Sequence, residues 1–333
     1  MTQTPQTTAP ARTTETREKT EVRRPADAPE MPTAPKRDEW PRSEPTSQTV
    51  REPSVTRPHV RWRLGDASIA PLDDDQVASA AGRAALIGRL DPPRVVARRT
   101  AAWIWGLDVL PPGPPKPEQE IDMAPDGEPP PSHIVEEAGV RVTSPSWTAL
   151  DCARWLPRLE AIAALDQFLR AGVERETLTR LAQGLKGRPN ASRLQDMLRL
   201  GDPGAASPGE SWTRFVLVDA GFPVPRTQIP VSGPRGDSFY IDLGYEEFRV
   251  GVEYDGEPHH TGPRARARDE GRRRWLARQR GWEIIPVTRD LLSRPGPYLE
   301  ALLTALLHRG WDPDDRTMDR IATRLARLHR GST

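Results

Sequence analysis

Glu253, Tyr254, Asp255, Gly256, Glu257, Pro258, His259 and His260 stand in a row. The run begins in an apolar strand and ends on two histidines. Strand alternation sends Val250, Val252 and Tyr254 to one side and Glu253 and Asp255 to the other. Two carboxylates side by side repel each other unless they hold a cation or meet water. Magnesium takes such a site, with a few carboxylate oxygens and the remaining positions left to water and phosphate. The ordinary alternative is an exposed acidic sheet face. Perturbed, mutually repelling acids cluster at functional sites, which favours the metal reading.

The preceding strand supplies a further acid. Phe239, Ile241 and Leu243 alternate with Tyr240 and Asp242. An antiparallel hairpin turning through 244–247 pairs Phe239 with Tyr254, Ile241 with Val252 and Leu243 with Val250. That register collects the apolar residues on one face. It sets Asp242 opposite Gly251, diagonal to Glu253 at roughly 7 Å between backbones. Gly251 would leave that face open. Residues 264–280 read as an arginine-dense helix anchored by Trp275 and Leu276. Residues 282–288 read as a strand parallel to the one ending at Asp255, and Pro286 places it near a sheet edge. Upstream, Ser207 caps a helix running to about Asp219, with Pro208 in its first turn. Glu210 in that turn complements the helix dipole, or faces the metal as a further acid.

The acids Glu210, Asp242 and Glu253 on helix, strand and strand, followed by helix and strand, carry a resemblance. Residues from about 208 to 292 resemble the PD-(D/E)XK nuclease superfamily, and more closely a domain of unknown function related to very-short-patch repair endonucleases. The matching pieces are 207–211, Ile241-Asp242-Leu243, 252–256, His259, Asp269 with the following arginines, and Gly281-Trp282. The position two after Glu253 holds Asp255 where the superfamily has lysine; the very-short-patch relatives also lack that lysine. The resemblance implies a restriction-endonuclease-like mixed sheet flanked by helices. It implies Mg2+ (or Mn2+) held by Asp242 and Glu253, with Glu210 as a third acid. Asp255 would orient His259 or a metal-bound water, and His259 would serve as general base or position the phosphate.

One-sided positive charge on residues 264–280 points to phosphate, giving affinity without sequence choice. Arg264, Arg266, Arg268, Arg272 and Arg273 are the expected contacts to DNA. The whole chain carries a net charge of only +1, so any positive field is local.

The 333 residues include 37 prolines, many of them concentrated in two stretches. Residues 1–58 lack apolar periodicity and are expected to be a disordered tail. Residues 111–131 read as a proline-rich loop. Residues 59–200 form a mainly helical region, with helices expected over 75–89, 95–107, 145–171, 176–185 and 193–200 and an extended stretch over 134–143. This region resembles the middle of AbiEi-type antitoxins through 99–107, 142–145, Asp151, Ala163, Leu165 and Asp166. Residues 201–310 form the nuclease-like α/β domain. Residues 311–333 hold a basic amphipathic helix with Met318, Ile321, Leu325 and Leu328 in one stripe. Docking is its expected role, with a DNA or homodimer contact as the alternative. The single cysteine, Cys152, rules out an internal disulfide. No apolar run has the length of a membrane span, and cytoplasm is the default location. Two functions follow: a magnesium-dependent DNA endonuclease in repair or defence, or a non-catalytic DNA-binding regulator reusing the fold.

Overall fold

The computed structural model describes Met1 and residues 61–69, 77–107, 109, 118–233, 238–255 and 263–330, with backbone alone over 263–269. Residues 2–58 of the expected tail, residues 256–260 with His259 and His260, and the side chains of Arg264, Arg266 and Arg268 lie outside the described residues. The fold is mixed α/β. No described helix is long and apolar enough to cross a membrane.

The first part begins with β1 (Arg61–Leu64) and β2 (Ala67–Ile69), an antiparallel pair. The helices α1 (Ala80–Gly88) and α2 (Arg98–Ile104) follow. The α1 cap is Ser79, whose hydroxyl accepts from the Gly82 N–H at 3.0 Å. Part of the proline-rich stretch is strand rather than loop: β3 (Glu118–Glu120) pairs parallel to β1. The strands β4 (Ile134–Glu137) and β5 (Val140–Thr143) make the extended stretch a hairpin. Ala138 and Gly139 both take positive φ at its turn, the geometry that matches strand twist. The single helix expected over 145–171 is two, α3 (Pro145–Trp155) and α4 (Arg158–Arg170). Pro157 has no N–H to donate and forces Leu156 into an extended conformation. Then come α5 (Arg175–Gly184) and α6 (Ala191–Leu200).

The second part opens on α7 (Pro208–Ala220) and runs through β6 (Arg226–Ser232), β7 (Ser238–Tyr245), β8 (Val250–Asp255), α8 (Pro263–Arg280) and β9 (Glu283–Thr288). It ends with α9 (Arg289–Ser293), α10 (Gly296–His308) and α11 (Asp315–Arg330). The sheet order is β6-β7-β8-β9, antiparallel except for the parallel β8–β9 pair across α8. Strand β6 adds to the expected elements; its Pro230 suits an edge, as Pro286 suits the opposite edge on β9. The sheet is packed on both faces. One core holds Trp212, Leu217, Leu243, Tyr245, Val250, Val252 and Leu302. The other holds Ile229, Val231, Ile241, Leu276 and Trp282. On α11, Ile321 is buried, so this helix docks as its apolar stripe implies.

The β7–β8 register differs by two residues from the hairpin expected above. Leu243 pairs with Val252, and Tyr245 with Val250. The turn tightens to residues 246–249, closed by the Phe248 N–H on the Tyr245 carbonyl at 3.2 Å, and Tyr245 joins the core. Nor do the apolar residues of β7 share one face. Ile241 packs in one core and Leu243 in the other, so alternation breaks at Asp242. Gly251 does not open a face to solvent. A Cβ there would lie 2.7 Å from Ile241 Cγ2 and from Ile284 Cδ1.

The two parts share a core. Helix α4 packs on α7, with Ala163 in the same cluster as Trp212 and Leu217. A buried ion pair joins them, Arg214 Nη2 to Asp166 Oδ2 at 2.7 Å. Removing one member leaves a buried charge alone. Asp166→Ala is expected to destabilise the fold by about 3–5 kcal/mol, measured by urea unfolding. Gly251→Ala should cost about 1–3 kcal/mol through overpacking, read the same way.

Candidate active site

Glu210, Asp242, Glu253 and Asp255 come from three elements, and each has its own environment. Glu210 is the third residue of α7 and is buried. Its N–H donates to the Ser207 hydroxyl at 3.2 Å, and that hydroxyl lies 3.0 Å from Glu210 Oε1. Oε2 accepts from the Ala206 N–H and from Gln228 Nε2, both at 2.8 Å. The Ser207 hydroxyl caps the helix, and the Glu210 carboxylate reaches back past the cap to the Ala206 N–H and across to a strand residue. Both carboxylate oxygens accept hydrogen bonds, so Glu210 holds the helix start in place. Gln228 was not singled out by sequence. It stands on β6 with φ near 47°, and its role depends on tertiary packing.

Asp242 stands where the β7–β8 ladder ends, one residue beyond the Leu243–Val252 pair. Continuing that register sets it directly across from Glu253. Its Oδ2 accepts the Tyr254 N–H at 3.0 Å. Burial, together with the charges of Glu210 and Glu253, pushes its pKa up to about 7, against the Tyr254 hydrogen bond. The Tyr254 ring turns toward α7. It meets Trp212 edge-on at 6.3 Å and fills the space beside Gly209, where a Cβ would come within 2.0 Å of it.

Glu253 is 4 % exposed and faces α8. Burial raises its pKa although two arginines oppose the shift. Arg272 Nη2 lies 2.9 Å from Oε1, and Arg273 Nε lies 3.5 Å from Oε2. Arg273 Nη2 also donates to both oxygens of Asp255 at 2.6 Å. Arg272 reaches the Tyr240 carbonyl and lies over the Phe239 ring at 5.6 Å. Arg272 and Arg273 therefore turn onto the acids, not outward to a phosphate backbone as their sequence context suggests. The physical reason is the crossover: α8 returns over the face of β8 that carries Glu253, and a guanidinium there neutralises a buried carboxylate.

Among the described residues, no three of His, Cys, Asp and Glu stand close enough to hold a metal ion together. Magnesium does not need an all-protein cage; one or two carboxylates suffice, with water and substrate phosphate completing the shell. Asp242 and Glu253, adjacent across two strands, fit that donor set. Glu253 would exchange its arginine contacts for the ion.

Comparison with known proteins places a family on one part of the chain. Residues 127–200 match the AbiEi antitoxin C-terminal domain. That segment covers the β4–β5 hairpin and helices α3 to α6. Two uncharacterized proteins of Mycobacterium tuberculosis, from strains CDC 1551 and H37Rv, are each 33 % identical over 174 residues. The match covers 52 % of this chain and 64 % of each relative. No solved structure matches the chain significantly.

The Asp242 environment has a pH consequence. Its folded pKa of about 7 lies above the ordinary 3.8, so the folded state holds the proton more tightly. Its contribution to stability falls as pH rises from about 4 to about 7. Asp242→Asn keeps an acceptor for Tyr254 and removes the charge. In EDTA at pH 8 it should be more stable than the parent by roughly 1–3 kcal/mol, with little difference near pH 4. Thermal melting at the two pH values checks this.

Proposed function

We propose that this chain is a divalent-cation-dependent DNA endonuclease, with magnesium or manganese held by Asp242 and Glu253. The observation that carries this reading is the placement of Asp242 directly across from Glu253 where β7 and β8 part, with the charge of Glu210 also acting on Asp242. Buried carboxylates that repel one another favour a cation between them. When bound, the ion polarises a phosphodiester and acidifies a water. The chain's own residues prepare the place. The Tyr254 N–H fixes the Asp242 carboxylate, and Arg273 bridges Glu253 and Asp255. Glu210 holds the start of α7 and adds negative potential. His259 is the proposed general base; histidine titrates in the right range. Repair or defence against foreign DNA is the proposed setting.

A second reading has its own support. The guanidinium groups of Arg272 and Arg273 already neutralise the acids, and 127–200 matches an antitoxin domain. On that reading the protein is a non-catalytic DNA-binding regulator, antitoxin-like, and the carboxylate–arginine cluster is structural. Purified protein incubated with supercoiled plasmid separates the two. The endonuclease nicks with magnesium and not with EDTA, and a folded Asp242→Asn protein does not nick. Because the cation must displace the Asp242 proton, nicking should also increase as pH rises through about 7. Absence of nicking by the parent under all these conditions supports the regulator.

A further inference from the structure

The antitoxin-like segment contains a cavity of about 290 Å³ that the endonuclease reading does not use. Its walls are the turn at 127–133, the start of α3, and the end of α5 with the turn after it. The lining is rich in hydrogen-bond donors. Trp147 is 4 % exposed, and its buried indole Nε1–H has no acceptor. The indole N–H groups of Trp62, Trp155 and Trp212 are likewise buried and unpaired, so this donor by itself does not mark the cavity. Arg180 and Arg188 sit exposed on the rim, and their side chains pair with no acid among the described residues. Glu128 is the one acid in the lining, and Arg154, 1 % exposed, already neutralises it at 3.0 Å. The cavity therefore carries a net positive charge.

One wall is flat and aromatic. The His133 ring stacks on Trp147 with centroids 5.1 Å apart and 30° between planes. Its Nδ1 lies 3.3 Å from the Ser144 hydroxyl, which fixes the ring. Burial lowers the His133 pKa, so the stack presents an uncharged ring near neutral pH. Planar rings stack on such platforms irrespective of base identity.

We infer that this cavity binds a nucleoside 5′-monophosphate group, with the base against the His133–Trp147 stack and the phosphate between Arg180 and Arg188. Arginine suits a phosphate through its fork of donors. The same chemistry occurs in a free nucleotide and at the 5′-phosphorylated end of a strand. The site lies outside the carboxylate cluster, so its occupancy is independent of nicking.

Isothermal titration of the full chain tests this with AMP and GMP, adenosine, inorganic phosphate, and one short oligonucleotide with and without a 5′-phosphate. Mononucleotides should bind at least about tenfold more tightly than adenosine or inorganic phosphate alone. Arg180→Gln with Arg188→Gln should weaken that binding by about tenfold or more, and these rim substitutions should leave the melting temperature unchanged. Tighter binding of the 5′-phosphorylated oligonucleotide than of AMP assigns the site to strand ends; the reverse assigns it to free nucleotides. No mononucleotide binding at millimolar concentration overturns the inference. So does binding that the double arginine variant leaves unchanged, or equal binding of inorganic phosphate and AMP.

Discussion

The demand that a buried carboxylate find a positive partner organises much of the described structure. Asp166 takes Arg214, Glu160 takes Arg99, Glu128 takes Arg154, and Glu253 takes Arg272 and Arg273. Each pairing joins different elements, the first two more than 45 residues apart and the last a strand to the helix that follows it. Charge buried without such a partner costs several kcal/mol, so each pair specifies one packing of its elements. The pairs do not add much net stability over an apolar core; they exclude arrangements that separate them.

Asp242 and Asp151 stand apart from this pattern. Both are pushed to about 7, chiefly by burial. Asp151 is surrounded by the charges of Arg98, Arg154, Glu128 and Asp122, within the network that ties α2 to α3. Asp242 meets Glu210 and Glu253, opposed by the charge of Arg272 alone, at the point where two strands part.

The antitoxin-like segment and the four-stranded sheet are parts of one packed structure. Ala163 of α4 sits among the residues of α7 and the sheet, and the Asp166–Arg214 pair lies between them. The first turn of α7 thus has the antitoxin-like helices behind it and Tyr254 in front. The placement of Glu210 beside Asp242 depends on both.

Local chemistry made much of this legible from sequence. The Ser207 cap, the strand pair with its acids, the crossover through α8 and the amphipathic α11 follow from spacing, proline geometry and apolar periodicity. These signals act over a few residues and need no knowledge of partners. The same local rules indicate that 145–171 is helical but do not separate α3 from α4 unless the proline at 157 is given its full weight. Strand β3, with the sequence Glu-Gln-Glu, carries no apolar signal and exists through its pairing with β1. The β7–β8 register escaped local reading because a shift of two residues preserves parity. Only the burial of Tyr245 and the close packing at Gly251 distinguish the two registers. Likewise, the types and order of Arg272 and Arg273 suit phosphate and carboxylate equally well. Their assignment to Glu253 and Asp255 was decided by tertiary structure, because α8 folds back over β8 and a buried carboxylate attracts a nearby guanidinium more strongly than water does.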